Sequence, residues 1–336
     1  MASENNKLPL NLQEVDKSTG EVVNLDVNST STVQPVALMR LGLFVPTLKS
    51  TGKSKANRKN VTDATEELVQ LSIAKSEGYT DIKITGSRLD MDTDFKVWLG
   101  IIRSMYDFGV KDDTLKLSFV EFVKMCGFDS RRSNKKMRDR ISNSLFKLAS
   151  VTLKFQSETK GWTTHLVQSA YYDITADVVE IRAEPKLFEL YQMDRRVLLR
   201  LKAIDALQRK ESAQALYTYI ESLPQNPAPI SMKRMRDRLN LTSNLYTQNH
   251  TVRKAMAQLK DIGYLDYTEF KRGRATYFSV HYRNPKLISS KVVVPREPEE
   301  EVPEQNYDEV IKALKAAGID PQKLAKALAS VKPGND

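Results

Sequence analysis

The stretch SMKRMRDRLNLTSNLYTQNHTVRKAMAQLKDIGYLDYTEFKRGRATYFSVHY, residues 231–282, decides the fold. Ser231 precedes Met232–Leu239 and suits a helix N-cap, because its hydroxyl can accept an otherwise unpaired N–H of the first turn. A polar loop, Thr242–Gln248, comes next. Val252, Met256, Leu259 and Ile262 then recur at helical spacing and define the apolar face of a second helix. Tyr264–Phe270 and Ala275–Tyr282 are rich in aromatic and β-branched residues. They flank the turn Lys271-Arg272-Gly273-Arg274 and read as a hairpin. Helix, turn, helix, hairpin is the order of a winged helix.

The same order occurs once before, offset by about 113–115 positions, so that Ser118 matches Ser231, Leu145 matches Leu259 and Phe155 matches Phe270. Ser118 is expected to cap a short helix from Phe119 to about Cys126. After the loop Gly127–Arg132, Ser133 is expected to cap a helix with Met137, Ile141, Leu145 and Leu148 on one face. Strand Val151–Gln156, a turn at Glu158–Gly161 and strand Thr163–Ile174 complete this copy. The predicted class is α+β: two tandem winged-helix domains with a pseudo-two-fold internal repeat.

A helix that reads a DNA groove needs an apolar back and a polar, basic front. Asn249, His250, Arg253 and Lys254 stand opposite the stripe of the second copy. His250, Arg253 and Lys254 lie at i, i+3 and i+4 and share a face. Arginine can read guanine through paired hydrogen bonds, and asparagine can read adenine. The helix before it supplies Lys233, Arg234, Arg236 and Arg238, expected on phosphates. The turn carries Lys271, Arg272 and Arg274 around Gly273. In the first copy Arg131, Arg132, Asn134, Lys135, Lys136, Arg138 and Arg140 surround the second helix, but its hairpin has only Lys154 and Lys160. That copy fits DNA contact or protein contact.

Charge distribution agrees. The chain has 336 residues and a formal charge of +10, and residues 61–287 carry 37 basic against 28 acidic side chains, so nearly all the excess lies in the folded part. A basic surface suits a polyanion. Residues 1–32, rich in Asn, Ser and Thr, read as a disordered tail. Val33–Pro46 is apolar and reads as a docked strand; a helix is expected from Thr62-Asp63 to Gly78, a strand at Asp81–Thr85, and a helix from about Thr93 to Phe108. The domain boundaries are 33–200 for the first winged helix and 201–290 for the second. A Pro/Glu-rich linker, 291–305, leads to an accessory helical tail, 306–336.

Motifs for other chemistry fail. Gly52-Lys53-Ser54 resembles the end of a phosphate-binding loop, but Thr47 stands where that loop needs glycine. Asp90, Asp92 and Asp94 have calcium-loop spacing, but Phe95 replaces the required glycine and Ile101 the required glutamate, so a helix N-terminus fits better. His165, His250 and His281 are isolated. Without a histidine pair to hold a metal, Tyr171-Tyr172 reads as strand packing rather than a nicking nucleophile. A single cysteine, Cys126, excludes an internal disulfide and reads as a buried thiol. No enzyme, cofactor or metal is expected. No signal peptide or membrane-spanning run is seen, so the expected location is the cytoplasm.

Three stretches, Thr32–Gly42 (TVQPVALMRLG), Leu89–Phe95 (LDMDTDF) and Ala215–Asn226 (ALYTYIESLPQN), together with Gln258–Asp266 (QLKDIGYLD), resemble the iteron-binding replication initiators of low-copy bacterial plasmids. The likeness covers residues 32–287. It implies two winged helices on double-stranded DNA, both at repeated origin sites, the iterons, and at the protein's own operator. It also implies a homodimer in equilibrium with monomer, and host initiator, helicase and chaperones as partners. A repressor without a replication role uses the same helices and is the alternative.

Pro295–Gln305 is expected to be flexible, with short helices at Tyr307–Ala317 and Pro321–Val331. A chain ending at residue 290 is therefore expected to bind DNA as tightly as the full chain in a gel-shift titration. If the truncated chain melts normally but no longer binds, the tail belongs to the interface.

Overall fold

The structure, a computed structural model, describes residues 13–15, 22–24, 31–47, 61–63, 80–109, 113–129, 134–173, 175–184, 187, 191, 196–224 and 226–284. The chain divides into two units, Met1–Ile288 and Ser289–Asp336, and the described residues all belong to the first. The expected linker and tail helices lie outside them.

In chain order, β1 (Gln13–Val15) and β2 (Val22–Asn24) precede β3 (Ser31–Pro35), α1 (Val36–Arg40) and β4 (Phe44–Val45). Then come β5 (Val61–Asp63), β6 (Asp81–Thr85), β7 (Leu89–Asp90), α2 (Asp94–Phe108), β8 (Thr114–Leu117), α3 (Phe119–Met125) and α4 (Lys135–Ser150). β9 (Thr152–Gln156), β10 (Gly161–His165), β11 (Ser169–Asp173), β12 (Val178–Arg182) and β13 (Arg196–Arg200) follow. The rest is α5 (Leu201–Ala206), α6 (Glu211–Glu221), β14 (Ile230–Ser231), α7 (Met232–Leu239), α8 (Leu245–Asp261), β15 (Leu265–Arg272) and β16 (Ala275–Arg283). The main sheets run β10-β9-β6-β5, β11-β12-β8 and β14-β16-β15; β3 pairs with β13, β4 with β7 and β1 with β2.

Among the described helices, five-residue α1 is buried throughout, and two longer ones, α2 and α6, have almost no solvent face. In α6 every residue from Ala213 to Ile220 is buried, and in α2 Phe95, Trp98, Leu99, Ile102 and Met105 are buried as their spacing predicts. A helix apolar all round must be wrapped by other elements. One hydrophobic cluster accordingly runs from Val36 through Trp98, Leu145 and Leu216 to Val280.

Wrapping α6 leaves its last carbonyls without water, and helix ends must find other donors. Two arginines from distant parts of the chain supply them. Arg40 donates to the Ser222 carbonyl through Nε (3.2 Å) and Nη2 (2.6 Å), and Arg283 donates to the Ile220 carbonyl at 2.6 Å. Nearby, Glu221 accepts from the Tyr264 hydroxyl, and burial raises its carboxyl above the usual range.

A third arginine joins the N-terminal segment to the same helix. Arg238 on α7 is 4% exposed and donates to the carbonyls of Met39 and Phe44, each at 3.1 Å, and to Thr218 Oγ1 at 3.3 Å. The backbones come close here: Gly42 has φ +72°, and a Cβ on it would sit 3.3 Å from the Arg238 carbonyl oxygen. Arg88 repeats the arrangement, donating to the carbonyls of Pro46 and Asn240. Gln34 fixes the other side, accepting from Trp98 Nε1 (2.9 Å) and the Tyr191 hydroxyl (3.0 Å).

Several expectations are corrected. Val33–Pro46 is a strand, a five-residue helix and a second strand rather than one strand; Pro35 is the helix N-cap and Gly42 takes the left-handed turn. The strand begins at Ser31, and Ser31 and Thr32, placed above in the tail, are buried and pair with Arg200 and Leu199. Thr62 and Asp63 pair with Ile84 and Lys83 as strand residues rather than starting a helix, and the rest of that expected helix lies outside the described residues. The expected strand Thr163–Ile174 is two strands in different sheets, β10 beside β9 and β11 beside β12. Asn134 caps α4, accepting from the Met137 N–H at 3.1 Å; Ser133 lies outside the described residues. Helix α8 starts at Leu245 behind its cap Asn244, inside the expected loop Thr242–Gln248. The helix at 94–108 and the caps Ser118 and Ser231 are as expected, Ser118 with a full capping box to Glu121.

Arg238→Ala removes a buried cation and leaves acceptors unpaired, which is expected to cost on the order of 3 kcal/mol. Urea unfolding should show a lower midpoint at unchanged slope; an unchanged midpoint would mean that the carbonyls find other donors. Gly100→Ala tests α2 against α3. An added Cβ would lie 2.4 Å from Cys126 Sγ and 2.9 Å from its Cα. Alanine is the better helix former by about 1 kcal/mol, yet here it should lower the melting temperature, since overpacking costs about 1–3 kcal/mol.

Candidate nucleic-acid interface

The residues of 231–282 fold into one surface. Helix α8 buries Val252, Ala255, Met256 and Leu259 and turns the opposite face to solvent. His250, Arg253 and Lys254 are all exposed on that face. Beside it β15 and β16 form the hairpin, with Arg272 opposite Ala275 and Gly273 at φ +60° in the two-residue turn. Glycine carries no Cβ penalty in that conformation. Lys271, Arg272 and Arg274 are exposed at the tip.

Arg253 has a partner within the protein. Its Nε donates to Glu269 Oε1 at 2.9 Å and Oε2 at 3.0 Å, and its Nη2 donates to Oε1 at 2.7 Å. These bonds raise the Arg253 guanidinium above its ordinary pKa. At the far end of α8, Lys260 pairs with Asp266 at 2.7 Å.

The cations of α7 divide among different tasks. Lys233 is exposed and pairs with Asp237 at 2.9 Å. Arg234 is half-buried, its guanidinium 5.5 Å from the centre of the Tyr219 ring. Arg236 donates to Asn249 Oδ1 at 2.6 Å, so half-buried Asn249 is braced by the preceding helix. Arg238 is buried and holds the N-terminal segment, which corrects the expectation that it contacts phosphate: its donors face protein carbonyls.

In the first copy, Lys135 and Lys136 are exposed at the start of α4, and Asn134 spends its side-chain oxygen on the cap. Arg138 is half-buried, 5.3 Å from the Phe119 ring centre. Arg140 pairs with Asp92 and donates to Thr93 Oγ1 at 2.6 Å. Lys147 bonds Asp90 at 3.1 Å and Asp94 at 2.8 Å. The aspartates at 90, 92 and 94 therefore anchor α4 to the N-terminus of α2. Burial and the Asp90 carboxylate push Asp94 up to about 6. For Asp90 burial works against the charge, but the Thr93 N–H, Asp94 and Lys147 together hold it below the usual range. Arg131 and Arg132 lie outside the described residues. Among the described residues no group of three or more His, Cys, Asp and Glu could hold a metal, and no helix is long and apolar enough to cross a membrane.

Sequence reading missed Leu245 and Tyr246, which are 63% and 84% exposed in the first turn of α8. Tyr246 lies four residues before His250 and seven before Arg253, on the basic face. The signal was present in that spacing and was hidden by placing 242–248 in a loop.

Over residues 84–221 the chain matches the family described as Initiator Replication protein, WH1. RepFIB replication protein A of Escherichia coli (strain K12) is 54% identical over 325 residues, covering 94% of this chain and all of that protein. Replication protein RepA of Salmonella typhi is 56% identical over 303 residues, covering 89% of this chain and 86% of that one. Among solved structures, domains 2 and 3 of RctB superpose with a TM-score of 0.42 at 11% identity, covering 74% of this chain and 98% of that one.

Proposed function

The chain belongs to the initiator replication protein family, and from that premise we propose that it starts plasmid replication by binding iterons through two tandem winged helices. The observation that carries this reading is helix α8, its apolar stripe buried and its His250–Arg253–Lys254 face exposed beside a hairpin tip with three cations. A helix of that kind enters a major groove, and the tip reaches phosphates or the neighbouring minor groove. Its site residues are Asn249, His250, Arg253, Lys254, Arg272 and Arg274, with Lys233 and Arg234 on the preceding helix.

The order α3, α4, β9–β10 parallels α7, α8, β15–β16, which supports a domain at 33–200 and another at 201–290. We assign the first copy to DNA too, through Arg131, Arg132, Asn134, Lys135 and Arg138. Operator binding as a dimer, activation as a monomer, and recruitment of host initiator, helicase and chaperones follow from the family resemblance. The role is that of a binder rather than a catalyst, in the cytoplasm. A transformation assay tests the reading against a repressor alone: the gene with its flanking repeats should sustain a plasmid that otherwise cannot replicate.

Binding should depend steeply on salt. Neutralising about 6–10 phosphates costs roughly 10³–10⁵ in affinity between 50 and 200 mM salt, and a flat response would count against DNA as the ligand. Arg253→Ala should cost about 1–3 kcal/mol and relax preference at one position of the site. Arg272→Ala should weaken all duplexes alike and reduce the salt slope by about one. Titrations of single-base variants at two salt concentrations separate the two. An equal loss on every variant for Arg253→Ala would remove α8 from the groove.

A further inference from the structure

Residues 230–287 hold 12 Lys and Arg but four acids. Two of the four, Asp237 and Asp266, pair with lysines. Glu269 is different. It lies on β15 opposite buried Phe278, so it points to the helix side of the hairpin, and it grips the arginine at the middle of the basic face. A carboxylate there repels phosphate and lowers general affinity for DNA. Its position therefore asks for a compensating use.

The bond pattern supplies one. Glu269 occupies the Nε–H of Arg253 and one N–H of Nη2. A guanidinium has five N–H donors in a rigid plane. Those that remain, both on Nη1 and the second on Nη2, form a fork along the far edge of the group. Paired donors in one plane are what guanine O6 and N7 accept. An arginine on a long stem otherwise loses rotamer freedom when it binds; here part of that ordering is done before DNA arrives. We infer that Glu269 is a positioning residue for base recognition, aiming the Nη1–Nη2 edge of Arg253 at a guanine, an inference that rests on the DNA-reading role proposed above for α8.

The test uses the full chain and a duplex that it selects from a random-sequence pool, with single-base variants and a scrambled duplex of the same composition. Glu269→Gln removes the charge, and Glu269→Ala removes the acceptor altogether. Either should cut the preference for guanine by about tenfold at the position that Arg253→Ala relaxes. Affinity for the scrambled duplex should stay level or rise, because a negative charge is gone. In the Arg253→Ala background neither change should alter the preference further. Four results overturn the inference: preference unchanged in both variants; an equal loss on all duplexes with a lower melting temperature, which marks a structural role; tighter binding at undiminished preference, which marks a restraint on Arg253; or a loss that persists without Arg253. If the wild-type chain selects no duplex, the DNA-reading role itself fails and this inference with it.

Discussion

Helix α6 cannot satisfy itself. Its eight consecutive buried residues pull it out of water, and its C-terminal carbonyls go with it. Unpaired buried carbonyls are costly, so the surrounding chain must deliver donors as well as apolar surface. Arg40 arrives from the N-terminal segment and Arg283 from the end of the last strand, while Arg238 ties Thr218 to the backbone of residues 39–44. Arg238 ties α7 to α6 through Thr218, and α8 packs on the same helix. The exposed face of α8 and the hairpin beside it are fixed by that packing.

Elements whose signal is local were legible in the sequence. The stripe of α8, the caps Ser118 and Ser231, the helix at 94–108 and the hairpin turn at Gly273 each follow from spacing or from one residue's geometry. Elements whose signal is non-local were not. Nothing within Val33–Pro46 says that it is shared between Trp98, α7 and α6, since an apolar run reads the same whether it is strand or helix. Adjacent Ser133 and Asn134 are both good caps, and a one-residue choice lies below the resolution of pattern.

Charge was the least legible property. Arg238, Arg140 and Lys147 look in sequence like the cations beside them, yet they bond carbonyls, a hydroxyl and aspartates of the chain itself. Type and spacing give a side chain's reach and charge; its partner is set by contacts 47 to 199 positions away in the chain. The two copies also differ in charge at matched offsets. At the offset of 115 that matches Val252 to Met137 and Met256 to Ile141, the second copy's Arg253 and Glu269 correspond to Arg138 and Lys154 in the first. The first copy therefore has the arginine without the carboxylate, and Arg138 lies over the Phe119 ring instead.

The wedge formed by residues 31–47 sets an order of events during synthesis. Its first partners, Arg88, Leu89 and Trp98, lie 42 or more positions downstream, and the residues that clasp it last, Ser222 and Arg238, are 182 and 199 positions later for Arg40 and Met39. At about 5–20 residues per second, a ribosome needs on the order of 10–40 s to make the intervening chain. For that time a largely apolar segment has only part of its native site, and the side chains that face α6 and α7 lack their cover. Maturation of this protein is therefore completed by its last third, and a nascent chain halted before Arg238 leaves the carbonyls of Met39 and Phe44 without that donor.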